Sequence, residues 1–317
     1  PVERIYVCAA ERHREAMLSR VAGLSPGRFM GAPVGRDTLN AVGLGTGVIG
    51  KDDPEATVAV FTADHLIEPT DRFQQIVGQG LTLAEASDDR LVTFGIQPTY
   101  PATGYGYLEL GEPIEKTSAS IVSRFKEKPD AQTANDYYNA GPAQYLWNSG
   151  MFVWQASALI ERLRRFAPEN HEPLQRVIEA WGTDRWQAVV NEVYPHLTKI
   201  SVDYAIMEPA SQDAATQVAA VPMPVQWLDV GSWPAFGQTR SADENANVVA
   251  GCQHLGLDTQ RSLIVGDDNS HLVATIGCEN LIVVRTGKAT LICRADQAER
   301  IKDLHKHVQQ EIGEDYV

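Results

Sequence analysis

Two acids stand where apolar runs stop. In "VAVFTADHLIEP" (58–69) an apolar run ends at Thr62 and Ala63 and meets Asp64 and His65. In "VQWLDVGSWPAF" (225–236) Asp229 follows an apolar stretch and precedes Gly231 and Ser232. Each reads as a carboxylate at a strand end that is entering a turn. Ligands of open α/β sheets bind outside the carboxyl ends of the strands. One such acid alone is better read as bracing its own loop. Two of them suit Mg²⁺, which takes one or two carboxylates and leaves the rest of its shell to water and substrate phosphates. The chemistry to expect is metal-assisted work on phosphates, with Asp64 and Asp229 as the metal ligands.

The elements that must position these acids alternate. "RIYVCAA" (4–10), "ATVAVFTA" (56–63) and "RLVTFGI" (90–96) read as strands. "ERHREAMLSRVAGL" (11–24), "TLNAVGLGTGVIG" (38–50) and "PTDRFQQIVGQGLTLAEA" (69–86) read as helices, with Thr70 the expected N-cap of the last. Strands alternating with helices predict a doubly wound, mostly parallel, Rossmann-like α/β sheet. After about residue 242 the pattern changes. "SLIVGDD", "HLVATIG", "NLIVVRTG" and "ATLICRA" are short apolar runs without intervening helices, read as stacked strands, and a polar helix closes the chain. The expected division is residues 1–242 and 243–317.

Composition excludes several classes. The 317 residues carry a formal charge of -14, which argues against a nucleic-acid partner. No apolar run approaches the ~20 residues that cross a bilayer, so no membrane partner is expected. The four cysteines, Cys8, Cys252, Cys278 and Cys293, form no CxxC pair. With no leader-like opening they predict reduced thiols and a cytoplasmic setting. "GTGVIG" (45–50) satisfies G-x-G-x-x-G but lies late in a helical segment, where a dinucleotide loop does not form. In "HKH" (305–307) the two histidines are two apart on a helix and do not face one ligand.

"FTADH", "FGIQPTYPATGYGYLE", "FKEKPD", "YLWNSGMFVW", "ISVDYAIME" and "WLDVGSW" occur in this order. Together they resemble the sugar-1-phosphate nucleotidyltransferases, most closely the mannose-1-phosphate guanylyltransferases, also called GDP-mannose pyrophosphorylases. The resemblance covers roughly residues 5–236 and, weakly, the tail. It implies transfer of GMP from GTP to mannose 1-phosphate, giving GDP-mannose and pyrophosphate with Mg²⁺. It also implies a small left-handed β-helix-like tail and a homodimer. The same residues fit two other readings: a nucleotidyltransferase for another sugar phosphate or base, and a regulatory paralogue that binds nucleotide sugar without turnover.

The resemblance also implies residue roles. Asp64, Lys128 and Asp229 are the catalytic set, with Asp64 and Asp229 on the metal and Lys128 on the sugar phosphate; Lys128 alone would read as a solvated loop lysine. Gly104, Tyr105, Glu109, Asn148 and Asp203 join Lys128 around the sugar phosphate. Gly104 and Gly106 serve either ligand approach or a tight turn, and Asp203 either binds ligand or caps a helix. Trp147, Phe152 and Trp154 are expected in the core. "GAPVGRDTLNAV" (31–42) corresponds to the segment facing the nucleobase, through Pro33, Arg36, Asp37 and Thr38. It departs from the family's Glu-Pro-x-x-Arg-Asn-Thr: Ala32 replaces the acid and Asp37 the amide, and a carboxylate cannot donate to a guanine O6. The family's opening strand, its arginine-bearing glycine-rich loop and its Pro-Lys-Gln segment match nothing here. The expectation is that an N-terminal piece carrying them precedes Pro1, and that residues 1–317 alone transfer no nucleotide at a useful rate. No cupin-sized segment follows, so the isomerase half of bifunctional relatives is not expected.

Overall fold

The computed structural model describes residues 2–316. In chain order its first elements are β1 (Val7–Ala10), α1 (Arg14–Arg20), β2 (Phe29–Ala32), α2 (Asp37–Asp52), β3 (Thr57–Val60), β4 (His65–Glu68), α3 (Thr70–Glu85) and β5 (Arg90–Ile96). β6 (Tyr107–Pro113), β7 (Ser120–Lys126), α4 (Ala131–Ala140), β8 (Tyr145–Gln155), α5 (Ala156–Phe166), α6 (Pro168–Ala180) and α7 (Trp186–Val193) follow. A π-helical turn, Asp203–Met207, leads through α8 (Glu208–Ala210) to β9 (Gln217–Pro222), β10 (Gln226–Asp229) and α9 (Trp233–Gln238). The tail holds β11 (Val248–Ala250), β12 (Gln253–Leu257), β13 (Leu263–Gly266), β14 (Leu272–Ile276), β15 (Leu281–Arg285), β16 (Thr290–Arg294) and α10 (Ile301–Glu311). The chain divides into two compact units. One comprises the residues up to Ala63 with Ile67–Gln226; the other comprises Asp64–Leu66 with everything from Trp227 onward.

In the first unit a six-stranded sheet runs β3-β8-β5-β9-β7-β6, with β8 also pairing β6, and β1-β2 form a separate parallel pair. The α/β class is as the sequence implies: β3, β5, β9 and β6 run one way in the six-stranded sheet, with β8 and β7 set against them. β5–β9 is parallel, whereas β3–β8, β5–β8, β6–β8, β6–β7 and β7–β9 are antiparallel. β8, an 11-residue strand, runs against all three of its partners, and β7 runs against both of its own. The buried apolar pattern of β8 is that of any strand covered on both faces, so periodicity carries no direction.

Helices cover both faces. α2, α5 and α6 bury Leu44, Leu163 and Leu174 with Leu91, Val122 and Trp154 of the sheet in one apolar cluster. On the opposite face α3 packs so closely that a Cβ at Gly80 would lie 2.7 Å from the Phe94 ring. The glycines of "GTGVIG" have the same explanation. They lie inside α2, where a Cβ at Gly47 would meet Ile178 at 2.2 Å. They allow close helix packing and form no nucleotide loop. Trp147, Phe152 and Trp154 are buried as expected. Thr70 is the first residue of α3 rather than its cap: extended Pro69 takes the N-cap place, with no side-chain bond.

In the second unit β11-β13-β15 pair in parallel, as do β12-β14, and β16 closes antiparallel on β15. Successive turns of chain stack in register, a β-helix-like arrangement. Leu263, Ile282 and Val284 form its core, with Trp233 and Phe236 packed against them. The outer face of β12-β14 is apolar: Leu255, Leu257, Leu272 and Ile276 are 66%, 62%, 52% and 75% exposed.

Candidate active site

The acid pair belongs to the second unit. Asp64 sits in a turn just before β4, not at the end of β3, and its side chain is 56% exposed. Asp229 is the last residue of β10, which pairs with β4. The Val230 N–H donates to the Asp64 carbonyl at 2.8 Å and ties the two turns together. Beyond it, Ser232 caps α9 by accepting from Ala235 N–H, which is why the chain turns sharply at Gly231-Ser232. Ligand atoms of Asp64, His65 and Asp229 all lie within 4.8 Å of one another. Burial, then repulsion from Asp64, raises the Asp229 carboxyl above its usual range. Burial lowers the His65 imidazole, against the pull of Asp64 and Asp229. Two carboxylates this close repel, and a hard divalent cation between them would relieve that repulsion while keeping both ionised. The donor set therefore fits such a cation.

The second cluster belongs to the first unit. Asn148, from β8, donates its amide N–H to Asp203 Oδ1 at 2.9 Å and accepts from Thr93 Oγ1 at 2.7 Å. Asp203 opens the π-helical turn, but Val202 is the cap residue and no side-chain cap bond is made. Its carboxyl is spent on Asn148, not on capping. Burial, then the neighbouring Glu127, pushes the Asp203 carboxyl up to about 7. Glu127 is 5% exposed and pairs with Lys128 at 3.1 Å. Burial works against the Lys128 charge, but the Glu127 carboxylate outweighs it and the ammonium ends above its ordinary value. Lys128 adopts a positive φ of 41°, a conformation costly for a residue with a Cβ and often stored where function needs it.

Sequence reading missed Glu127. The signal was present: in "FKEKP" Phe125 and Glu127 are two apart on a strand end and share a side. Phe125 is fully buried, so Glu127 follows it inward. A Cβ at Gly106 would lie 2.6 Å from the Glu127 carboxylate. Gly106 is thus required by the protein itself, whereas Gly104 has open space around it. Tyr105 packs on Trp147 with ring centroids 5.2 Å apart. Glu109 stands on β6. It lies in register with Arg124 and Tyr145, and its carboxylate raises the Tyr145 hydroxyl after burial does.

In the segment 31–42, Asp37 begins α2 with φ 63° and stays exposed, and Pro33 is half-buried. Arg36 donates to the Pro195 carbonyl. The Thr38 hydroxyl accepts the Val202 N–H at 3.0 Å. Both side chains tie α2 to the 195–203 segment, which delivers Asp203. An open cleft of roughly 760 Å³ lies at the carboxyl ends of β5 and β9, lined among others by Glu68, Gln97, Thr99, Met223 and Gln226. It is the location where α/β sheets take ligands, although none of the sequence-predicted residues lines it.

Residues 2–246 match the family model described as nucleotidyl transferase, and residues 252–308 match one described as a MannoseP isomerase/GMP-like beta-helix domain. The chain is 34% identical to mannose-1-phosphate guanylyltransferase of Escherichia coli (strain K12), over 88% of this chain and 56% of that protein. It is 32% identical to xanthan biosynthesis protein XanB of Xanthomonas campestris pv. campestris (strain B100), over 96% of this chain and 62% of that one. The chain thus spans about three-fifths of the length of these curated relatives. Among solved structures, one described as mannose-1-phosphate geranyltransferase from Thermus thermophilus superposes with a TM-score of 0.80 at 30% identity, covering 98% of this chain and 85% of that one.

Proposed function

Since the chain belongs to the nucleotidyl transferase family, we propose that it serves a mannose-1-phosphate guanylyltransferase, which transfers GMP from GTP to mannose 1-phosphate and releases pyrophosphate. The observation that carries this reading is the convergence of the Asp64 and Asp229 carboxylates in a chain of that family. Relatives named for this reaction support the choice of sugar and base.

Asp64 and Asp229 would hold Mg²⁺, which when bound neutralises phosphate charge. Little covalent help is needed for such a transfer; alignment and charge neutralisation suffice. Lys128 supplies a protonated ammonium for the sugar phosphate, kept charged by Glu127. Asn148, Asp203 and Glu127 present amide and carboxyl groups to sugar hydroxyls, with Gly104, Tyr105 and Glu109 completing the sugar side. Pro33, Arg36, Asp37 and Thr38 form the nucleobase segment, Arg36 and Thr38 by holding its shape. We assign the transferase domain to residues 1–242 and a left-handed β-helix-like domain to 243–317. The exposed apolar face of β12-β14 supports a homodimer. The four free cysteines suit the cytoplasm; among the described residues no helix is long and apolar enough to cross a membrane.

The test is pyrophosphate release by the full-length protein across GTP, UTP, dTTP and ATP, each with mannose 1-phosphate or glucose 1-phosphate. GTP with mannose 1-phosphate should be fastest. A clear preference for another nucleotide would overturn the guanylyl assignment, and no release with any pair would overturn the transferase reading.

A further inference from the structure

Asp64, His65 and Asp229 form a mixed set of two oxygen donors and one nitrogen. With the imidazole as a ligand, such a set favours manganese, cobalt or zinc over magnesium. The residue behind the imidazole decides whether it can be one. The Trp227 indole has a donor and no acceptor, and it donates its N–H to Nδ1 of His65 at 3.3 Å. The two rings meet edge to face, with centroids 5.1 Å apart and planes at 76°. Nδ1 must therefore offer a lone pair, and the single proton of a neutral imidazole sits on Nε2. Turning the ring over would bring Cδ2–H to the indole and leave its donor facing carbon. Nε2 is the nitrogen on the acid side, 4.0 Å from Asp64 Oδ1. A protonated Nε2 has no lone pair for a metal.

We propose that Trp227 fixes His65 in the Nε2–H tautomer, so that His65 turns a proton rather than a lone pair toward Asp64 and Asp229, and the site stays an oxygen-only site selective for hard divalent cations. His65 is then a positioning residue, not a ligand. Its N–H contributes favourable charge to both carboxylates and steadies the acid pair before a cation arrives. The inference rests on the reading that Asp64 and Asp229 bind a divalent cation, but the tautomer itself does not depend on that reading.

Long-range ¹⁵N–¹H correlation spectra of the full-length, metal-free protein identify histidine tautomers directly, with His65→Gln assigning the signal. The Nε2–H pattern is expected for His65; an Nδ1–H pattern overturns the proposal. The second measurement is electron spin echo modulation from bound Mn²⁺. No directly bound ¹⁴N should appear in the wild type, and a strong ¹⁴N coupling from an imidazole overturns the proposal. Trp227→Phe keeps an aromatic ring and removes the donor. It should release the tautomer and raise the Zn²⁺-to-Mn²⁺ affinity ratio by about 10-fold or more, the usual size of an outer-shell effect. A variant that keeps the wild-type tautomer and ratio overturns the role of Trp227. Failure of the wild type to bind Mn²⁺ at all would contradict the cation reading, while the tautomer spectrum would still decide this proposal.

Discussion

Asn148 and Asp203, 55 residues apart in sequence, meet amide to carboxyl at 2.9 Å. The bond links β8 of the central sheet to the π-helical turn. Burial first, and then the Glu127 charge, act on Asp203 there. Its proton is consequently held far above the normal carboxyl range, and three measurable consequences concern this cluster.

Stability should depend on pH through Asp203. Its folded-state value of about 7 lies above the ordinary 3.8. The folded protein then binds this proton more tightly than the unfolded chain does. Its stabilising contribution is complete below about pH 4 and is lost as pH rises through 7. Asp203→Asn cannot ionise. Its stability relative to wild type should improve with pH from about 4 to 7, by on the order of 1.4 kcal/mol per pH unit, and then level off. Denaturant unfolding at several pH values reads this out. A difference that stays flat with pH would refute the buried proton.

Lys128→Ala should cut kcat/KM for the sugar phosphate by about 10²-fold, the usual cost of removing one preorganised charge donor at a phosphate. Its Tm should fall as well, because Lys128 is the ion-pair partner of the buried Glu127 and removing one partner of a buried pair leaves the other uncompensated. Unaltered kinetics in steady-state assays would remove Lys128 from the reaction.

The two glycines of "GYG" should behave differently. Gly106→Ala forces a methyl against the Glu127 carboxylate and the Phe125 ring and should destabilise the fold by about 1–3 kcal/mol. Gly104→Ala meets nothing within 4 Å. It should leave Tm unchanged and raise KM for the sugar phosphate if ligand approaches there. Thermal melts of both variants beside KM measurements separate the roles, and equal destabilisation would contradict the assignment.

The β12-β14 face should be an interface between copies. Leu257 and Ile276 are in register on neighbouring strands, both strongly exposed. A Leu257→Lys, Ile276→Lys double variant should shift light-scattering mass from dimer to monomer without lowering Tm appreciably. A wild type that is monomeric at micromolar concentration would end this reading.

Much of this was legible in sequence. β5 coincides with the run "RLVTFGI", and α2 is helical despite its glycines, as its pattern predicts. The repeated short runs of the tail stack as expected. What escaped has physical causes. β4 alternates His65 and Ile67 inward with Leu66 and Glu68 outward, so an apolar residue faces out, a histidine faces in, and the apolar pattern of the sequence does not show the strand. The direction of β8 is invisible to periodicity. Glu127 stands between Lys126 and Lys128, and only the burial of Phe125 shows which way that strand end faces. The Trp227–His65 bond joins residues 162 apart, and no local pattern announces which imidazole nitrogen carries the proton.

Nucleotide transfer should depend on one divalent cation held jointly by Asp64 and Asp229. The most direct measurement titrates Mn²⁺ by electron paramagnetic resonance into full-length wild type, Asp64→Asn and Asp229→Asn, with pyrophosphate release assayed on the same preparations. One tight site is expected in the wild type, weakened by at least about 10-fold in each variant, with turnover from GTP and mannose 1-phosphate falling by about 10²-fold or more in parallel. Undiminished Mn²⁺ binding in both variants with turnover intact would contradict this expectation.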